Sequence, residues 1–242
     1  MRGGSQAQLY HETPLSFLGG LGATLFGRQL GSEIDPLAFA NVEVVGYYVC
    51  AQRQEAAAVI AFERLAAELT AHSAPRDLID AARRAARDER RHAALFRREA
   101  SRLAGELGIT VHFPGPNHPD AFAIRDLDAI LRENIVEGCI NETYSALVAT
   151  YQTEHARSAR LRAVFLAIAA DEQEHAALAY RIHAWGLSVS AATTALRDEL
   201  RQASVCIRES VAVTALARAM GEPDPSVAVV AFEHVSAALL AA

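Results

Sequence analysis

Apolar residues recur every three to four positions through most of this chain, the period of a helix that buries one face. The first such stretch runs from about Pro36 to Ser73, and Pro75 marks its break. A second runs from about Pro75 to Leu107. The segment between Leu107 and Asp126 is rich in Pro, Gly and Asn and cannot be helical throughout. A third helix is predicted from about Asp126 to Glu154. A fourth runs from Arg157 to Trp185, with Gly186 as its stop. A fifth runs from Ala191 to Met220 and stops at Gly221, and a short sixth follows Pro225. The pattern predicts an all-α fold: an irregular Gly-rich extension over residues 1–35, a four-helix bundle over 36–186, and helices over 187–242 that pack on the bundle or form a homodimer surface. Short loops within each helix pair make antiparallel neighbours, and the long middle connection crosses the bundle.

Charge interrupts the apolar stripes at a few places only. In the first helix Glu55 is the one charge among Val44, Tyr48, Ala51, Ala58, Val59, Phe62, Leu65, Ala66 and Leu69. Glu63 and Glu68 fall on other faces, among Gln and Arg. An isolated carboxylate inside such a stripe costs several kcal/mol or more, on the order of the penalty for an unpaired buried ion. In the second helix Glu89 and His92 share a stripe with Leu78, Ala82, Ala85, Phe96, Ala100 and Leu103, while Arg83, Arg84, Arg87, Arg90, Arg97 and Arg98 lie mostly opposite. In the fourth, Glu172 and His175 share one with Leu161, Ile168, Ala179 and Ile182.

The last two pairs belong to one repeated pentad, Asp-Glu-x-x-His, at Asp88–His92 and Asp171–His175. Chance alone would supply about 0.03 copies at this composition. A Glu and a His three residues apart on a helix sit on one face, about one turn apart. Two such pairs, each joined by a Glu from another helix, make the ligand set of a di-iron or di-manganese carboxylate site. Glu55 supplies one of the joining residues. The third helix offers Glu133, Glu137 and Glu142. Glu55 precedes Glu89 by 34 residues and Glu137 precedes Glu172 by 35, so Glu137 matches best, with Glu142 as the alternative ligand or a mobile extra carboxylate. The expected metal ligands are therefore Glu55, Glu89, His92, Glu137, Glu172 and His175. Four carboxylates and two neutral imidazoles suit two divalent iron ions, or manganese, and the lack of thiolate ligands disfavours structural zinc. Asp88 and Asp171 are expected to accept from the free N–H of the two imidazoles, crosswise between helices, with Arg91 pairing to one of them. Tyr48 and Tyr144 lie in the core, where packing, a pocket wall or electron relay are the open roles.

Bulk composition narrows the partners. The 242 residues are 51% hydrophobic, so a sizeable core is available. All 23 basic residues are Arg, and the net charge of -6 gives no general attraction to nucleic acid or anionic lipid. No apolar run is long enough to span a membrane. Residues 14–27 are mildly apolar but lack a basic leader, and are read as packing on the bundle or covering its opening. Cys50, Cys139 and Cys206 form no C-x-x-C pair and read as reduced thiols of a cytoplasmic protein.

A Glu followed about 32 residues later by Asp-Glu-x-Arg-His, stated twice, resembles the ligand pattern of the ferritin-like di-iron superfamily, which includes the bacterial multicomponent monooxygenases. Glu55 with Asp88, Glu89, Arg91 and His92 matches fully. The second half departs at Glu174, which stands where Arg is usual. The resemblance covers about residues 40–186. It implies a ferritin-like bundle that holds two iron ions (Fe2+/Fe3+) with O2 as co-substrate. The activity implied is oxidation of a small organic substrate by hydroxylation, N-oxygenation or dehydrogenation, with electrons from an external donor. Members of the superfamily that handle iron or turn over peroxide, or contain manganese, are the alternative. A tRNA hydroxylase is a further one that the acidic balance disfavours.

Overall fold

The computed structural model describes residues 36–113, 122–206 and 220–241. Among these residues the fold is all-helical, with no strand. The elements are α1 (Pro36–Ala71), α2 (Arg76–Leu107), α3 (Leu127–Glu133), a π-helical segment (Asn134–Glu142), α4 (Thr143–His155), α5 (Ala159–Leu166), α6 (Ala169–Val189), α7 (Thr193–Cys206) and α8 (Pro225–Ala241). The expected extension over residues 1–35, including the apolar stretch 14–27, lies outside the described residues, as does 207–219 of the expected fifth helix. Among the described residues no helix is long and apolar enough to cross a membrane.

Local chemistry sets the boundaries. Asp126 caps α3 by accepting from the Ala129 N–H at 2.8 Å, and Ser158 caps α5 by accepting from Leu161 at 3.1 Å. The α2 helix ends where Gly108 turns left-handed at φ 69°, and Ile109 N–H bonds back to the Ala104 carbonyl at 3.0 Å. The first helix ends the same way, but with Ser73 at φ 57° in the position glycine prefers. Ala74 N–H then reaches the Leu69 carbonyl at 2.9 Å, which closes the turn into α2.

The helices pack in pairs, α1 on α2 and the π segment with α4 on α6, and α2 meets α6 across the middle. Two apolar clusters fill the interior. One holds Phe62, Leu69, Leu78, Ala82, Leu131, Ile135, Ile182 and Phe232. The other holds Tyr48, Phe96, Ala100, Ala149, Phe165 and Met220. Along α1, α2 and α6, which reach both clusters, the residues between them include the acidic and imidazole positions taken up below.

Two boundaries differ from the sequence reading. The fourth helix is broken: α5 ends at Leu166, a turn occupies Ala167 and Ile168, and α6 begins at Ala169. Its end also lies past Gly186, at Val189. Gly186 is a buried packing residue, because a Cβ there would stand 2.3 and 2.5 Å from the methyl carbons of fully buried Leu131. Glycine brings α6 close to α3 instead of ending the helix. Two stability changes follow. Ser73→Gly is expected to raise stability by about 1 kcal/mol, because it removes the left-handed penalty of a Cβ residue. Gly186→Ala is expected to lower it by about 1–3 kcal/mol through overpacking. Thermal unfolding followed by circular dichroism checks both, and an unchanged midpoint in either variant contradicts the assigned role.

Candidate metal centre

Each helix around the centre delivers its polar residues at the same level. The α1 helix contributes Glu55, α2 Glu89 and His92, the last position of the π segment Glu142, and α6 Glu172 and His175. They form two groups, Glu55–Glu89–His92–Glu172 and Glu89–Glu142–Glu172–His175, with the donor atoms of each within 4.8 Å of one another. Glu89 and Glu172 belong to both. Glu89, His92 and His175 are 1–2% exposed and Glu172 is 5% exposed.

The imidazoles face inward through Nδ1. His92 Nδ1 lies 3.2 Å from Glu172 Oε1, and His175 Nδ1 lies 3.0 Å from Glu89 Oε1. Neither nitrogen has a hydrogen-bond partner despite full burial, and Glu89 Oε2 has none either. Atoms this close without hydrogen-bond geometry are aimed at a common point instead of at each other. A separation of about 3 Å is the edge of a coordination polyhedron with bonds of about 2.1 Å. The outward nitrogens meet the aspartates crosswise. His92 Nε2 is 3.0 Å from Asp171 Oδ2, and His175 Nε2 is 3.5 Å from Asp88 Oδ2. Arg91 joins the two aspartates, 2.5 Å from Asp88 and 3.1 Å from Asp171. Phe62 packs on the His175 ring at a centroid distance of 5.2 Å. A depression of about 100 Å³ opens outside this layer, lined by Arg84, Asp88, Asp171, Glu174, His175 and Arg181.

Electrostatics supplies an independent test of fit. Glu68, fully buried, is gripped by both arms of Arg125 at 2.7 and 2.8 Å. Glu99, 2% exposed, is gripped by Arg160 at 2.6 and 2.8 Å, with Arg102 at 3.2 Å. Arg160 and Arg102 hold the Glu99 carboxyl below the usual range although burial pushes it up. No guanidinium reaches the four central carboxylates among the described residues. Burial, then the neighbouring carboxylates, pushes Glu55 and Glu142 well above the usual range. For Glu89, burial acts upward, but contacts with Glu55 and both imidazoles outweigh it and hold the group low. Burial would lower His92, yet Glu172 and Glu89 raise it to about 10. His175 is raised by Glu89 against the same burial effect. Carboxylate oxygen and imidazole donors with no guanidinium among them are positioned to bind metal ions.

The third helix is where spacing and structure part. Glu142 is its member of the second group, and Glu137, favoured by the pseudo-repeat, stands outside both. Glu137 is half-buried, accepts from Asn141 Nδ2 at 3.1 Å and acts electrostatically on Glu142. The reason is the π-helical backbone. Its i→i+5 bonds widen each turn, so residues five apart come nearly over one another and Glu142 rotates towards the face of Glu137. Gly138 allows the segment to approach α6, since a Cβ there would lie 2.7 Å from the Ala179 Cβ. Asn134 fixes the approach by donating to the Ala179 carbonyl at 2.9 Å.

The tyrosines take different places. Tyr48 is 2% exposed and packs on Phe96 at 5.9 Å, and burial raises it to about 12. Tyr144 packs at the edge of the first apolar cluster and is raised to about 12 by burial and by Glu222. Sequence reasoning missed Glu68 and Glu99. Glu99 shares the stripe of His92 and Phe96 at helical spacing, a legible signal. By its spacing Glu68 falls on a polar face; the connection after α2 covers that face and brings Arg125 to it. No protein-family model matches the chain, and no curated protein or solved structure matches it.

Two outcomes are expected. Asp88→Asn and Asp171→Asn should each weaken metal binding about 10–100-fold, whereas Glu142→Gln should lose one metal of two and Glu137→Gln neither, by elemental analysis and calorimetric titration. Because Glu55, Glu142 and both imidazoles hold protons more tightly than usual, metal uptake must displace protons. Affinity should rise with pH and heat should vary with buffer ionisation enthalpy; a pH-independent affinity between pH 6 and 8 would contradict the assignment.

Proposed function

We propose that the chain is a ferritin-like di-iron oxidoreductase that uses O2 to oxidise a small organic substrate. One observation carries the reading: two donor groups share Glu89 and Glu172, and each adds one imidazole and one carboxylate of its own. That donor set would suit two adjacent cations, iron or, as the other candidate, manganese. Two irons held there supply the electrons and binding site for O2 reduction. The protein's own residues supply the rest. Asp171 accepts from His92 Nε2 and holds that ring with Nδ1 inward, and Asp88 stands 3.5 Å from His175 Nε2. The apolar clusters above and below exclude water. Glu142, in the π segment, offers a carboxylate that can hold a proton at the edge of the centre. With no Cys pair in the sequence, electrons come from a separate donor.

A second reading has an observation in its favour. The depression beside His175 is small, about 100 Å³, and lies open to the surface. Iron oxidation or peroxide turnover without organic substrate would need no more.

The deciding experiment loads the full chain with Fe(II) under anaerobic conditions, counts the metal and then admits O2 with a chemical reductant and a panel of small substrates. Two irons per chain, rapid O2 uptake and 18O or desaturation in an organic product are expected, and Glu89→Gln should abolish all three. Fewer than two metals, or no reaction with O2, sinks the proposal. Peroxide consumption or ferric mineral alongside unchanged substrate transfers it to the second reading.

A further inference from the structure

Positive charge is concentrated on one helix. The α2 helix carries nine arginines against six acids, a net charge of +3 in a chain whose net charge is -6. Two of those acids, Glu89 and Glu99, point inward and are 1–2% exposed. At about 100° per residue, all nine arginines from Arg76 to Arg102 fall within an arc of about 140° that runs along about 39 Å of the helix. Asp80 is the one acid of α2 inside that arc. The arginines stand outward: the side chains of Arg83, Arg90, Arg91 and Arg98 are 47–70% exposed, and Arg87 is exposed among them.

Such a face works against the helix. Arg83 with Arg87, Arg87 with Arg91, and Arg98 with Arg102 are like charges one turn apart, an unfavourable spacing. Solubility is served as well by mixed signs. The pairs on the face are exposed and contribute little: Asp80 meets Arg76 at 3.0 Å and Arg83 at 3.4 Å, and Glu63 meets Arg90 at 2.6 Å. The middle of the face is also joined to the metal centre. Arg91 lies 3.1 Å from Asp171 Oδ2, and the same oxygen is 3.0 Å from His92 Nε2. An exposed guanidinium thus stands two contacts from an inward-facing imidazole. Arg84, at the edge of the arc, lines the depression beside His175.

We propose that the arginine face of α2 docks an acidic electron-donor protein, a one-electron carrier such as a [2Fe–2S] ferredoxin; as a donor surface this rests on the oxidoreductase reading above. Carboxylates of the partner exchange with the weak exposed pairs and relieve the repulsion between arginines, and opposite charge speeds the encounter. Each reduced ferredoxin gives up one electron and is oxidised, so two encounters return two ferric ions to the ferrous state. A protein fits this face better than a nucleic acid does. Asp77, Asp88 and Glu174 border it on the α6 side and Glu63 on the α1 side, where a continuous phosphate backbone would be repelled.

The test is calorimetric titration of the full chain, metal-free and iron-loaded, with an oxidised [2Fe–2S] ferredoxin of net negative charge, and with cytochrome c of net positive charge and tRNA for comparison. The ferredoxin should bind both forms, at least tenfold more weakly in about 500 mM than in about 50 mM NaCl, and cytochrome c should not bind. Arg83→Gln with Arg87→Gln should weaken ferredoxin binding at least fivefold. Arg132→Gln with Arg197→Gln, which removes equal charge from α3 and α7, should weaken it less than twofold. In the iron-loaded chain the first pair should slow reduction by reduced ferredoxin and leave reduction by dithionite unchanged. An unchanged circular dichroism spectrum and iron content show that each variant is folded. Absence of ferredoxin binding, equal binding of cytochrome c, or full affinity in the folded Arg83 and Arg87 variant overturns the surface. Tighter binding of tRNA with the same arginine dependence overturns the protein partner, and an unchanged rate of reduction by ferredoxin overturns the donor role. Arginine-dependent ferredoxin binding to a chain that takes up no iron pair upholds the surface and removes the oxidoreductase reading instead.

Discussion

Four carboxylates in one dry layer cannot all be ionised unless positive charge lies among them, and the interior is arranged around that constraint. Each uncompensated ion taken from water costs several kcal/mol even after relaxation, on the order expected for buried charges. The chain meets this cost in two ways. At Glu68 and Glu99, towards the ends of the bundle, arginine forks neutralise the carboxylate directly. At Glu55, Glu89, Glu142 and Glu172 it supplies only two imidazoles, each raised in basicity by its neighbours and aimed inward without a hydrogen bond. The contrast within one molecule is the physical argument for a metal centre. At Glu68 and Glu99 the protein uses Arg; in the central layer it uses none, which leaves the donors positioned for a metal ion.

Placement of that layer depends on small residues as much as on ligands. The α1, α2 and α6 helices present their acids on regular α-helical faces. The third strand of the bundle does not, because its π segment trades regular spacing for two acids on nearly one face. Such a widened turn takes up room, and Gly138 and Gly186 make it by letting the segment and α3 close on α6. Asn134, buried and bonded to the Ala179 carbonyl, then holds the register. Packing and ligation are coupled here: a methyl group at either glycine would push the element that carries Glu142.

Periodicity read most of this correctly where local rules govern. The long helices, the stop at Gly221, and the burial of Glu89, His92, Glu172 and His175 all follow from apolar spacing and turn chemistry. It misled where a partner distant in sequence decides the outcome. Gly186 looks like a helix stop, but its lack of a side chain serves Leu131, 55 positions earlier by the numbering. Glu68 looks solvated because its covering arginine arrives from the connection after α2.

By itself the amino-acid sequence determined an all-helical chain with two Asp-Glu-x-x-His faces and one acid, Glu55, set in an apolar stripe of its first helix. Those features rest on side-chain periodicity and on the penalty for burying charge, both local in sequence. Only the tertiary structure shows which third-helix acid stands among the grouped donors, which aspartate lies beside which imidazole, and which buried acids already have an arginine. Each of those is a contact between helices far apart in the chain, and the first also needed a backbone that departs from the α-helix on which any count of residues relies.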